Sequence, residues 1–166
     1  MAAPSCSGHD GPVSRSSRQA ALSERDGAGW RVFEHLCRLK RSDERAIDWM
    51  TPEQRQVFAF NLLRQEVNHG GFDFFFRYRG SVGPCARLAS FATPAWAALI
   101  DDACALMGAP YPSTTDGFCD VLDQLEAEDP ALLARLDDRF YQLERDEPPD
   151  ELVDRFIWWH KPAFFT

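Results

Sequence analysis

Three times in this chain a capping residue stands directly before a proline and ahead of apolar residues at helical spacing: Thr51-Pro52, Thr93-Pro94 and Asp129-Pro130. A Thr or Asp at the N-cap accepts a hydrogen bond from a backbone N–H that has no partner within the helix. A proline at the first helical position loses nothing, because its missing N–H would have been an orphan there. The first of these starts adds Glu53 in the first turn and Gln54 at the capping-box position. It predicts a helix from Pro52 to His69 in which Val57, Phe58, Phe60, Leu62, Leu63 and Val67 leave little polar surface, the pattern of a helix packed on more than one side. Gly70-Gly71 then supplies a left-handed stop. Thr93-Pro94 opens a stripe of Trp96, Leu99, Ile100, Ala103 and Met107; Asp129-Pro130 opens one of Leu133, Leu136, Phe140 and Leu143.

Weaker signals fill the remainder. Phe118, Val121, Leu122 and Leu125 give one more helical stripe, and Pro148-Pro149 precedes a last helix carrying Leu152, Phe156, Ile157 and Trp159. From Gln19 to Lys40 the residues Leu22, Trp30, Phe33, Leu36 and Cys37 fall partly at the same spacing. Strand-like alternation and hairpin dipeptides such as Asn-Gly do not occur. The expected fold is all-α, a single irregular domain of six or seven helices over 19–166. It follows a leader at 1–18 that is rich in Ser, Gly and Pro, too poor in apolar residues to offset the entropy of ordering, and therefore expected to be disordered.

Thirteen Phe and five Trp among 166 residues provide the core. Each contributes roughly 1.5 to 3 kcal/mol when fully buried, so disulfides are not required. The cysteines, at 6, 37, 85, 104 and 119, are odd in number, form no CxxC pair and are expected to be reduced. Neither a signal peptide nor a run of about 18 apolar residues is present, which predicts a cytoplasmic protein without membrane contact.

Charge is unevenly placed. Of a formal net −8, the segment from Asp101 to Asp154 holds 16 Asp and Glu against three Arg, a balance of −13. Asp116, Asp120, Asp123 and Glu126 stand at i, i+4, i+7 and i+10, one row opposite the Phe118 stripe, with Glu128 beyond it and Asp137 and Asp138 on the next helix. Like charges at i, i+4 cost a few tenths of a kcal/mol per pair, so the row is either a solvated face kept for solubility or a surface kept for a partner. Carboxylates repeating about every 5 Å along a helix approach the charge spacing of duplex DNA. The sign excludes direct nucleic-acid binding and points to a basic protein, either a DNA-binding regulator or, in an immunity or antitoxin-like setting, a basic toxin.

The segment Glu66-Val67-Asn68-His69-Gly70-Gly71-Phe72 and the later Leu136-Asp137-Asp138-Arg139-Phe140-Tyr141 resemble a bacterial family long classed as a domain of unknown function and known also as the DNA-mimic protein C-terminal domain. The resemblance covers roughly Thr51 to Phe165 and implies an all-helical fold and a non-enzymatic role in binding protein. Its pattern reads Glu-Val, then Asn-Gly-Gly-Phe, then Leu-Asp-x-x-Phe-Tyr. The chain departs from it where His69, Phe74 and Tyr78 stand in place of polar amide residues.

Catalytic chemistry finds little foothold. Glu66, His69 and Asp73 surround one helix end, but a metal or acid/base site needs a further ligand, and only His35 and His160 remain outside the leader. An enzyme centred on Glu66 and His69 is the remote alternative; no catalytic residue, metal or cofactor is assigned. Asn68 and His69 are expected to satisfy the last carbonyls of their helix while the glycines turn Phe72, Phe75 and Phe76 inward. Glu66, Asn68, His69, Gly70, Gly71, Phe72, Leu136, Phe140 and Tyr141 are thus read as structural, and a buried Asp137 as paired with Arg64 or Arg155. The terminal Phe156, Ile157, Trp158, Trp159, Phe164 and Phe165 exceed what one helix face can bury. They either fold back on the core or form a surface for a homodimer or partner.

Overall fold

A computed structural model of the chain describes residues 27–42 and 46–164; the leader, Leu22, Cys6 and Phe165 lie outside these. The described residues are mostly helical, with no strand among them, as the 3.6-residue stripes predict. None of these helices is long and apolar enough to cross a membrane.

The first helix, α1 (Ala28–Ser42), buries Phe33 and Leu36 and leaves Trp30 at its edge. A 3-10 turn at Ala46–Trp49 leads to α2 (Pro52–Arg79), the axis of the fold. Its capping box forms as expected: the Gln54 N–H donates to Thr51 Oγ1 (3.2 Å) and the Thr51 N–H to Gln54 Oε1 (3.1 Å). Seven consecutive residues, Val57 to Leu63, are buried, which happens only when neighbours cover a helix on every side. Those neighbours include α1, the short α3 (Gly83–Ala86), α5 (Thr115–Glu128) and α6 (Leu132–Asp146). The fold is completed by α4 (Pro94–Ala105), α7 (Pro149–Trp159) and the final turn α8 (Lys161–Phe164).

The core is an aromatic seam. Phe60 meets Trp96 edge-on (5.6 Å), Trp96 meets Phe140 (5.4 Å), Phe140 meets Phe72 (6.1 Å), and Phe76 reaches Phe118 (6.5 Å). Trp96 also donates its indole N–H to the Glu147 carbonyl (3.0 Å), so the largest core side chain leaves no polar atom unsatisfied. The five residues of the Thr93-Pro94 stripe are all buried.

Three expectations are corrected. Gly70-Gly71 does not end its helix: Gly70 (φ −160°, ψ 24°) and Gly71 (φ 77°, ψ −178°) kink α2, and the chain resumes helical geometry through Arg79. Gly71 is far from the left-handed helical ψ that a stop requires, so the pair re-aims the helix instead of closing it. Asp129-Pro130 does not open a helix either. Asp129 ends α5, its Oδ1 accepts from the Ala131 N–H (3.2 Å), and α6 begins only at Leu132 without a side-chain cap. Asp-Pro serves turns as readily as helix starts, and here the turn prevails. Finally, Trp159, placed on the apolar stripe of the last helix, is 76% exposed, whereas Phe156 and Ile157 are buried and Phe164 packs against the core.

Candidate protein-interaction site

The kink in α2 leaves backbone groups without helical partners, and α6 supplies two of the missing ones. Asp137 Oδ1 accepts from the Phe72 N–H (2.8 Å), capping the second arm of α2 from another helix. One turn later on the same face of α6, the Tyr141 hydroxyl donates to the Val67 carbonyl (3.2 Å) at the end of the first arm. Between them Leu136 and Phe140 are buried, Phe140 standing edge-on to Phe72. Asp137 fits because Gly71 has no side chain: a Cβ there would lie 2.5 Å from Asp137 Oδ2. Glu66 and Arg79 close the kink from outside (3.4 Å), and the Asn68 amide donates to the Arg64 carbonyl (3.0 Å).

Among the described residues Asp137 has no arginine partner, contrary to expectation, and as a half-buried cap it is turned away from the surface role assigned to it with Asp138. Burial pushes its carboxyl pKa up, the charges of Asp138 and Asp73 add to the rise, and the Phe72 N–H opposes it. Arg64 is taken elsewhere. Its Nε and Nη2 donate to Glu144 (2.7 and 3.2 Å) and its Nη1 to Asp150 (2.8 Å) and Asn61 Oδ1 (3.3 Å). Burial works against the Arg64 charge, and the bonds to Glu144 and Asp150 outweigh it and raise its pKa. Arg155 is exposed.

His69 does not bond the helix end. It is exposed, and its ring rests on Phe74 (4.8 Å), which in turn meets Tyr78 (4.5 Å). The three departures from the family pattern are thus one stack. With Glu66 on Arg79 and Asp73 on Arg77, the residues of the enzyme alternative are held in separate pairs; no group of three or more His, Cys, Asp or Glu among the described residues is placed to hold a metal.

The acidic row lies on α5, with Phe118 and Leu122 buried beneath it and Asp116, Asp120, Asp123, Glu126 and Glu128 all exposed. Asp123 is bridged by Arg77 (2.9 Å), which also holds Asp73 (3.0 Å), and Glu128 accepts from the Gln124 amide (2.8 Å). Asp101 pairs with Arg87, Asp102 with Arg139 and Asp129 with Arg135. Glu147 accepts from the Thr93 hydroxyl, and Asp154 from the backbone N–H groups of Gly27 and Gly29 at the start of α1. Between Asp101 and Asp154, what remains without a partner among the described residues is Asp116, Asp120 and Glu126 on α5, with Asp138 and Glu151. Sequence reasoning missed the bridge from Arg77 to Asp123 and the role of Asp154, and it gave Arg64 the wrong partner; Asp123, Gly27, Gly29, Glu144 and Asp150 all lie far along the chain from the residues they bond.

No curated protein and no solved structure matches this chain. A family model does, over residues 48–160, which include the kink, both of its α6 partners and the acidic helix. That match spans more than half of the sequence, and the chain belongs to the DMP19-like protein family.

Proposed function

We propose that the protein is a non-enzymatic, acidic protein-interaction module that acts as a DNA mimic, its α5 face occupying the basic DNA-binding face of a regulator. The observation that carries this reading is the unpartnered set Asp116, Asp120 and Glu126 on one exposed helix, in a protein where neighbouring carboxylates are taken up by arginines and backbone N–H groups. Acids needed only for solubility gain from partial pairing on the surface. Acids left in a row, at a cost of a few tenths of a kcal/mol per like-charged neighbour, suit a basic ligand that neutralises them. Family membership supports the same reading.

The test is competition. A basic DNA-binding protein isolated on the immobilised full chain is loaded onto its own labelled DNA, and the free chain is added over a salt series. Release of the DNA that weakens steeply with salt, and is lost in Asp116→Lys/Asp120→Lys/Glu126→Lys, is the expected result. Equal release by the triple variant sinks the proposal. Asp123 is left unchanged because its bond to Arg77 ties α5 to α2.

A further inference from the structure

We propose that the cleft between α1, the first arm of α2 and α7 receives a guanidinium: an arginine side chain of the basic partner, laid over the Trp30 indole and bonded to Asp150 and Asp154. The inference rests on the reading that the partner is basic, and it adds a second point of attachment away from α5.

The cleft holds about 430 Å³, within the range of about 300 to 1,000 Å³ typical of ligand clefts. One wall is Trp30, 54% exposed although the core next to it buries Trp96 completely. Phe33 packs against the indole at 5.4 Å, so the ring that lines the cleft is held from the core side. Of the lining residues only Arg64 is cationic, and its donors are occupied by Glu144, Asp150 and Asn61, so it cannot capture an anion. One cation against the carboxylates of Glu144, Asp150 and Asp154 leaves a formal −2 around the cleft.

The hydrogen-bonding inventory points the same way. Asp154 uses one lone pair on each oxygen for Gly29 and Gly27, which leaves acceptor capacity on both. Asp150 keeps a second oxygen free of Arg64 and is largely exposed. Asn68 donates its amide N–H to the Arg64 carbonyl, which leaves its Oδ1 for an incoming donor. A site with carboxylate and amide acceptors beside an indole suits a group that is cationic, donates only, and has a flat face. Guanidinium is that group, and tryptophan is the aromatic it stacks on best. Trp30 and Gln65 also line a second hollow of about 290 Å³ beside Phe33, Glu34 and Arg38, where a charge of each sign leaves room for the uncharged residues flanking the arginine.

The test uses the full chain labelled with nitrogen-15 and reads its indole N–H resonances, Trp30 being identified by its loss in Trp30→Leu. The probes are N-acetyl-arginine amide, its neutral citrulline counterpart, free L-arginine and the peptide Gly-Ser-Arg-Ser-Gly. The expected result is a saturable shift of the Trp30 signal with the arginine amide and not with citrulline, tighter with the peptide than with the free amino acid. Asp150→Asn, which leaves Arg64 bonded to Glu144, weakens it about tenfold. Equal response to citrulline, or shifts confined to other tryptophans, overturns the site; tighter binding of free L-arginine overturns the partner side chain as its source. The two readings fail separately. Loss of regulator binding on reversal of the α5 acids, with no arginine response at Trp30, removes the cleft alone, while an arginine response at Trp30 with regulator binding unaffected by that reversal removes the α5 face alone.

Discussion

The acids of α6 and α7 and the acids of α5 come from the same strongly negative half of the sequence, yet the fold uses them in opposite ways. On α6 and α7, Asp137, Glu144, Asp150 and Asp154 serve as internal acceptors, capping Phe72, surrounding Arg64 and holding the start of α1. On α5, Asp116, Asp120 and Glu126 meet only solvent among the described residues. Local charge density therefore does not distinguish a structural carboxylate from one kept for a partner. What makes a carboxylate structural is whether another element places an arginine or an orphaned N–H within reach, and Asp150 and Asp154 keep acceptor capacity beyond that role.

The contrast can be broken from its structural side. Gly71→Ala forces a side chain into a positive-φ position and against Asp137, and should cost about 3 kcal/mol in urea unfolding, the largest effect expected. Arg64→Met, which strips Glu144 and Asp150 of their cation, should cost about 2 to 3 kcal/mol; a loss below about 0.5 kcal/mol would show the network to be ornamental. Asp137→Ala should cost about 1 kcal/mol through loss of the cap, with Asp137→Asn close to wild type because it keeps an acceptor for Phe72.

The pH dependence sharpens the same point. Asp137 has a raised pKa in the fold, so the folded state binds its proton more tightly than the unfolded chain does. Stability from this group is full below the ordinary aspartate value of about 3.9 and declines as pH rises through the higher folded value. Stability profiles of Asp137→Asn and wild type should converge at the acid end and separate in the variant's favour above it. The smallest effect belongs to the other region: reversing Asp116, Asp120 and Glu126 to Lys should change stability by no more than about 0.5 kcal/mol, because those side chains touch nothing that folding requires.

Much of the helical frame was legible because its signals are local. Thr51 with Gln54 and Thr93 with Pro94 lie within one turn of the groups they satisfy, and the buried stripe from Trp96 to Met107 follows from period alone. The errors arose where one local signal has two physical outcomes. Gly70-Gly71 reads as a stop or as a kink, and only the remote Asp137 and Tyr141 decide between them. Asp129-Pro130 reads as a helix start or a turn, and Asp129 is drawn to Ala131 and Arg135. At the candidate site the acidic row on α5 was visible, whereas the bridge from Arg77 to Asp123 spans 46 positions and leaves no trace in spacing. Aromatic density near the end of the chain was visible too, but not that Trp159 faces outward while Phe156 turns in.

The grip of Asp154 on Gly27 and Gly29 sets an order of events during synthesis. Helix α1 emerges from the ribosome early, but the carboxylate that ties down its first turn, and Val153 against which Gly29 is closely packed, are made more than 120 residues later. Until then α1 leans on α2 and the 3-10 turn at Ala46–Trp49, and its first turn waits for α7 to arrive. Nascent chains stalled before Pro149 should therefore be cut by protease near Gly27, and chains released at full length should resist at the same bond.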